Sequence, residues 1–244
     1  MMASDRRPPF LRSMHLKDTA PLTGYPFDLP AVAALDHINF GAITILVGEN
    51  GSGKSTLVEA VAVVAGFNAE GGSKNLQFET LSTHSDLMKH LQLLWAKRPT
   101  WGWFLRAESF YGMATHIARD DPLYGVKPLF SDLHNRSHGE SFLDLIDSRF
   151  DGAGMYIMDE PESALSFQGQ LRLLRVIHDC VRSGSQFVIA THSPLLMRMP
   201  GAVIYELGEH GVQRCEYDDL GVVSLWRRFL SSPERLLETL FADE

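Results

Sequence analysis

Gly48-Glu49-Asn50-Gly51-Ser52-Gly53-Lys54-Ser55-Thr56 fits the phosphate-binding pattern G-x-x-x-x-G-K-[ST] without a mismatch. The pattern has a physical logic. A loop must wrap its backbone N–H groups around phosphate oxygens while a helix begins beneath them, so glycines stand where the backbone comes close. Gly51 and Gly53 permit that approach, Lys54 can reach the β- and γ-phosphates as a point charge, and Ser55 can offer its hydroxyl to Mg²⁺. The flanks agree with this. Ala42-Ile43-Thr44-Ile45-Leu46-Val47 is a continuous β-branched and apolar run, and Leu57-Val58-Glu59-Ala60-Val61-Ala62-Val63-Val64 continues as a buried helix. Strand, glycine loop and helix follow in order, so a nucleoside triphosphate is the first ligand the chain implies.

The 244 residues, 45% of them apolar, suffice for one large α/β domain or two small ones. No apolar run approaches the ~20 residues that span a bilayer, and residues 1–12 lack the apolar centre of a signal peptide. A cytoplasmic protein without membrane insertion is therefore expected. A net charge of −8 argues against an unaided grip on a nucleic-acid backbone, leaving contact through a partner or a local basic patch. Arg172, Arg175 and Arg182 share a predicted helix, where they suit the solvated face opposite Leu171, Leu174 and Ile177. Cys180 and Cys215 lack C-x-x-C spacing and read as ordinary buried thiols. The histidines, His84, His90, His116, His134 and His138 among them, form no H-E-x-x-H pattern, so no metal other than Mg²⁺ is indicated.

Along the chain, the Pro- and Gly-rich first 35 residues predict extended edge strands and turns rather than helix. Residues 36–47 supply strand, and the helix after the loop runs to about Ala65, where Gly66 breaks it. A further helix is expected over 85–96, then an aromatic strand through Trp101, Trp103, Phe104 and Leu105 ending near Ser109, its tryptophans in the core. Residues 120–135 read as a loop-rich insertion. Helix over 140–150, a short buried strand Met155-Tyr156-Ile157-Met158, helix over 168–181 and strand over 186–190 follow. The tail predicts a hairpin around Gly208 to Gly211 and helices near 224–230 and 233–241.

A phosphate loop needs an acidic residue at the end of another buried strand to hold the metal. Asp159 stands there, and Glu160 directly after it is placed to polarise a water for in-line attack. With Ser137-His138-Gly139-Glu140 and Thr191-His192-Ser193-Pro194, these motifs give a pattern over residues 35–206 that resembles the ATP-binding-cassette ATPase superfamily. The resemblance implies ATP and Mg²⁺ as ligands, with Asp159 and Ser55 holding the metal, Glu160 as catalytic base and His192 as the switch histidine. It makes Ser137, Gly139 and Glu140 a signature that completes ATP bound on a second protomer, and hence implies an ATP-dependent homodimer. Their position just before a predicted helix agrees, because a helix start presents donors to an anion.

The pattern departs from the family at several positions. His138 replaces the first signature glycine, and Ser163-Ala164-Leu165-Ser166 lacks the aspartate that usually crosses the dimer interface. The expected glutamine after the next strand is missing, Glu108 being the best positional match and Gln77 a weaker one. Tyr25 and Phe27 are candidates for stacking on adenine. The 29 positions from Glu108 to Ser137 are short for a transporter's helical lobe and hold no coiled coil. On these grounds the chain looks most like small, free-standing AAA-type ATPases related to chromosome-maintenance and recombination-repair heads.

The expected fold is an α/β P-loop NTPase with a mixed central sheet flanked by helices, antiparallel N-terminal strands and a reduced signature lobe. It is expected as a single domain over 1–244, with the nucleotide-binding core at 35–206, the lobe at about 109–150 and a C-terminal hairpin and helices at 207–244. The function implied is a soluble Mg-dependent ATPase that drives or gates a partner protein. The alternatives are a transporter's nucleotide-binding subunit and a non-hydrolysing, nucleotide-switched binding module.

Overall fold

The computed structural model describes residues 10–73, 85–110, 138–150 and 153–242. Its centre is a mixed sheet in the order β10-β9-β3-β8-β7-β6-β4. The parallel heart is β9 (Val203–Gly208), β3 (Ile43–Gly48), β8 (Gln186–Ala190), β7 (Met155–Asp159) and β6 (Gly102–Arg106). Antiparallel strands close both sides, β10 (Gly211–Cys215) on β9 and β4 (Gly72–Ser73) on β6. A second, antiparallel sheet has the order β2-β1-β5, built from β1 (Leu11–Leu16), β2 (Ile38–Asn39) and β5 (Leu91–Trp95).

The parallel strands are buried on both faces, which is why they read as unbroken apolar runs. Alternate side chains feed two cores. On one face Ile45, Tyr156, Met158, Phe187 and Ile189 pack with residues of α4 (His138–Arg149) and α5 (Phe167–Arg182), including Phe142, Ile146, Leu173 and Ile177. Phe150, Tyr156 and Phe187 stack there with centroids 4.0 and 5.0 Å apart. On the other face Leu46, Phe104, Ile157 and Val188 meet Leu57, Val58 and Val61 of α2 (Lys54–Ala65), beside Leu11, Met14 and Ile38 of the small sheet. Gly66 ends α2 in the left-handed region at φ 95°, where a glycine carries no Cβ penalty.

Gln186 ties the sheets together. Its buried amide accepts from Leu11 N at 2.7 Å and donates to Leu11 O at 2.8 Å and Gly41 O at 2.9 Å.

Several expectations need correction. Residues 85–96 are not one helix: a single turn, α3 (Leu87–His90), leads straight into β5. Leu87 and Leu91 sit four apart and mimic a helical face, but β1 offers unpaired backbone groups, and pairing His15 with Gln92 and Met14 with Leu93 satisfies both strands. For the same reason β1 is the middle strand of its sheet, not an edge. The N-terminal region also contains a short helix, α1 (Pro30–Ala33), with Pro30 at its first position, where the missing N–H costs nothing. The aromatic strand stops at Arg106 rather than near Ser109. Trp103 is in the core, as expected.

In α5 the buried stripe is Gly169, Leu173, Ile177 and Cys180, so Leu171 faces solvent. The arginine reading holds, with Arg172 paired to Asp147 and Arg175 to Asp179 at 2.8 Å, all exposed. Cys180 is buried, whereas Cys215, at the end of β10, is only partly so.

The loop-rich segment at 120–135 lies outside the described residues, as do Gln77, His84, His116, His134 and Ser137. The tail matches expectation, with the β9–β10 hairpin followed by α7 (Gly221–Ser231) and α8 (Pro233–Phe241), which expose Leu225, Trp226, Leu230, Leu240 and Phe241. The remaining short helix, α6 (Pro194–Met197), is capped by Ser193 Oγ accepting from Leu196 N. Among the described residues, no helix is long and apolar enough to cross a membrane.

Candidate functional site

Parallel strands all deliver their C-terminal ends to one edge of a sheet, and ligands bind in the crevice there. The register sets those ends level: Leu46 pairs with Ala190, Ala190 with Asp159 and Asp159 with Arg106. Just beyond that line stand the 48–56 loop after β3, Glu160 after β7, and His192 after β8.

The loop geometry follows from its glycines. Gly48, Gly51 and Gly53 have φ of 150°, 79° and 96°, and a Cβ at Gly48 would lie 2.3 Å from Leu207 O. Only glycine lets β9 and the loop approach so closely. Lys54 is buried and donates to Gly48 O at 3.0 Å and Glu49 O at 2.8 Å. Burial pushes its pKa down, while Glu160, Asp159 and Glu162 pull it back up. The Ser52 hydroxyl is buried inside the loop with no hydrogen-bond partner among the described residues. A buried hydroxyl of that kind, above a helix start, suits a phosphate oxygen.

Ser55 Oγ donates to Asp159 Oδ1 at 3.0 Å, so the two expected metal-holding side chains already meet. Burial pushes Asp159 up to about 6, against the pull of the Arg106 guanidinium and the Ser55 hydroxyl. Arg106 Nε is 3.5 Å from Asp159 Oδ2, and Arg106 Nη1 donates to Glu59 Oε2 at 2.8 Å. A buried carboxylate beside a hydroxyl, with its charge only partly balanced, is a donor set that fits a hard divalent cation. Among the described residues no cluster of three or more His, Cys, Asp or Glu offers another metal site.

Glu160 sits in the left-handed region at φ 47°, uncommon for a non-glycine residue, and its N–H donates to Ala190 O at 2.9 Å. Its carboxylate is 3.4 Å from His192 Nε2, without a hydrogen bond between them. Ser55, Arg106, Glu108, Asp159, Glu160 and Ser163 line a cleft of about 500 Å³. Glu108 therefore lines this cleft and is exposed.

Gly139 lies against the turn that follows Glu160, where a Cβ would come 2.9 Å from Ala164 O. Glu140 is exposed in the first turn of α4. Ser166, where the family has an aspartate, caps α5 by accepting from Gly169 N at 3.2 Å. Tyr25 is exposed with its hydroxyl 3.2 Å from Thr56 Oγ1, whereas Phe27 is a core residue edge-on to His90 and is not available for stacking on a base. Sequence reasoning missed Arg106 and Glu162. Arg106 was detectable from its place at a strand end, but the partner of Glu162 is 30 residues away and carries no spacing signal.

Residues 33–91 match a family model described as "AAA domain", and residues 109–198 one described as "AAA domain, putative AbiEii toxin, Type IV TA system". The chain is 26% identical over 186 residues to the xylose/arabinose import ATP-binding protein XylG of Sulfolobus acidocaldarius, a match covering 67% of this chain and 74% of that protein. Over these residues the chain is similar to ATP-binding-cassette ATPases. The chain is also 23% identical over 189 residues to the xylose import ATP-binding protein XylG of Thermoanaerobacter pseudethanolicus, covering 68% of the chain but 37% of that protein. Among solved structures it is similar to the SMC head domain from Thermotoga maritima, at 17% identity and a TM-score of 0.47, covering 84% of this chain and 99% of that one.

Proposed function

We propose that the chain is an ATP hydrolase that binds Mg-ATP on the 48–56 loop and works as an ATP-dependent homodimer to drive or gate a partner protein. The whole chain is read as one such unit. The observation that carries the proposal is the meeting of Ser55 Oγ and Asp159 Oδ1 at 3.0 Å in the cleft that also holds Glu160. Lys54 and the N–H groups from Gly48 to Thr56 bind the phosphates, and Ser55 and Asp159 hold the cation. The cation, when bound, neutralises charge on the phosphate oxygens. Glu160 takes the proton of the attacking water, and His192, 3.4 Å away, contacts the γ-phosphate side of the cleft. Glu108 is the acidic stand-in for the glutamine of the family pattern, and Tyr25 the surviving candidate for the base. Ser137, Gly139 and Glu140 complete the partner protomer's site, leaving ATP sandwiched between two copies.

Phosphate release from the full chain tests this reading. Mg-ATP turnover in the wild type, lost in both Lys54→Ala and Glu160→Gln while Glu160→Gln still binds ATP, is the expected result. ATP binding with no turnover in the wild type points instead to a non-hydrolysing switch. The XylG relatives favour a second reading, the ATP-binding subunit of a membrane importer. Co-purification with an integral membrane protein distinguishes it.

A further inference from the structure

Glu162 lies in the 3₁₀ turn Pro161–Ala164, two residues past Glu160. Its side chain turns back toward the sheet. Oε1 accepts a hydrogen bond from the backbone N–H of His192, and Oε2 is buried with no partner among the described residues. Withdrawing a carboxylate from water is costly, so a group placed this way is more than a space filler. An N–H to carboxylate bond is also stronger than its neutral equivalent.

The bond has a particular place in the network. Glu160 N donates to Ala190 O at 2.9 Å, which fixes the backbone of Glu160 on the end of β8. Thr191 N donates to Leu46 O at 3.1 Å, and Ser193 is held by Thr191 Oγ1 at 3.0 Å and Gln170 Oε1 at 2.6 Å. Between these anchored neighbours, the amide of His192 is held by Glu162 alone among the described residues. The imidazole it carries makes no hydrogen bond through Nε2, although Glu160 Oε1 is 3.4 Å away. The turn that carries Glu160 thus also fixes the backbone from which His192 projects.

We propose that Glu162 is a positioning residue for hydrolysis, its carboxylate clamping the His192 amide so that the imidazole stays beside Glu160. This rests on the reading of Glu160 and His192 as the hydrolytic pair. Because it acts through His192, its loss should lower kcat and leave the ground-state affinity for ATP in place. The amide oxygen of glutamine can accept the same bond, so Glu162→Gln should restore what Glu162→Ala removes.

The test is steady-state Mg-ATP hydrolysis by the full chain carrying Glu162→Ala, Glu162→Gln, His192→Ala, or Glu162→Ala with His192→Ala. The expected results are a kcat about 10-fold or more below wild type for Glu162→Ala with KM for ATP within about 3-fold, and a Glu162→Gln kcat within about 3-fold of wild type. In the His192→Ala background, Glu162→Ala should cost less than about 2-fold more. An undiminished kcat in Glu162→Ala, a Glu162→Gln as impaired as Glu162→Ala, or additive losses in the double variant would each overturn the proposal. Glu162→Asp withdraws the acceptor by one methylene and serves where the alanine variant does not fold. The amide proton resonance of His192 should lie downfield in wild type and Glu162→Gln relative to Glu162→Ala or Glu162→Asp, and an unmoved resonance overturns the clamp. A wild type that shifts as expected but releases no phosphate contradicts the hydrolytic reading and leaves the clamp standing.

Discussion

Ser55 Oγ donates to Asp159 Oδ1 across 3.0 Å, joining the first turn of α2 to the end of β7 over 104 positions of sequence. Burying the Asp159 carboxylate costs the protein something that the Ser55 hydroxyl and the Arg106 guanidinium only partly offset.

That cost sets a pH dependence. Burial raises Asp159 to about 6 in the folded chain, against about 3.9 unfolded. Between those values the folded state binds more protons than the unfolded chain, so this contribution to stability is full below about pH 4 and is lost as pH rises through about 6. Urea melts without nucleotide should show Asp159→Asn gaining on wild type by roughly 1–3 kcal/mol as pH rises across that window. A cation and a proton compete for the same carboxylate, so the Mg²⁺ needed for half-maximal ATP binding should rise as pH falls below about 6. A pH-independent difference between the two proteins contradicts the assignment.

Two loop glycines separate steric contact from backbone conformation. A Cβ at Gly48 would lie 2.3 Å from Leu207 O, whereas one at Gly51 meets nothing within 4 Å. Gly51→Ala should cost only the left-handed backbone penalty, about 1–2 kcal/mol, and Gly48→Ala distinctly more because β9 must move. Denaturant midpoints measure both, and equal losses would show that the contact with Leu207 is relaxed at no cost.

Gln186 offers a test of the join between the sheets. Gln186→Leu fills the space but leaves Leu11 N without an acceptor and Leu11 O and Gly41 O without its donor, which should destabilise the chain by about 2–4 kcal/mol. Hydrogen exchange should quicken first in β1. An unchanged exchange pattern in β1 would show that the small sheet is held by its apolar face instead.

The signature reading predicts that Ser137→Ala lowers turnover by about 10-fold or more while each protomer still binds ATP. Parallel measurements of nucleotide affinity and phosphate release check it. Unchanged turnover removes Ser137 from the composite site.

The parts of this molecule that were legible in sequence are those whose partners are adjacent in the chain or whose chemistry is fixed by residue type. The loop, its helix to Ala65, the strand carrying Asp159 and the strand over 186–190 were read nearly to the residue, because buried parallel strands are apolar without interruption. β5 was misread as helix because Leu87 and Leu91 satisfy a helical spacing, while the deciding partner, β1, is more than 70 residues away. Glu162 was invisible for the same reason, because its charge matters through His192, which only the sheet register brings alongside; Arg106 stood at a legible strand end, but its partner Asp159 did not show.

The most direct test of the central claim is sedimentation velocity of the Glu160→Gln chain with and without saturating Mg-ATP. Glu160→Gln keeps Lys54, Ser55 and Asp159 for binding and removes the base that would end the bound state. The account predicts a dimer that forms with Mg-ATP and is lost when Ser137→Ala is added. A protein that binds Mg-ATP at saturation and still sediments as a monomer contradicts it.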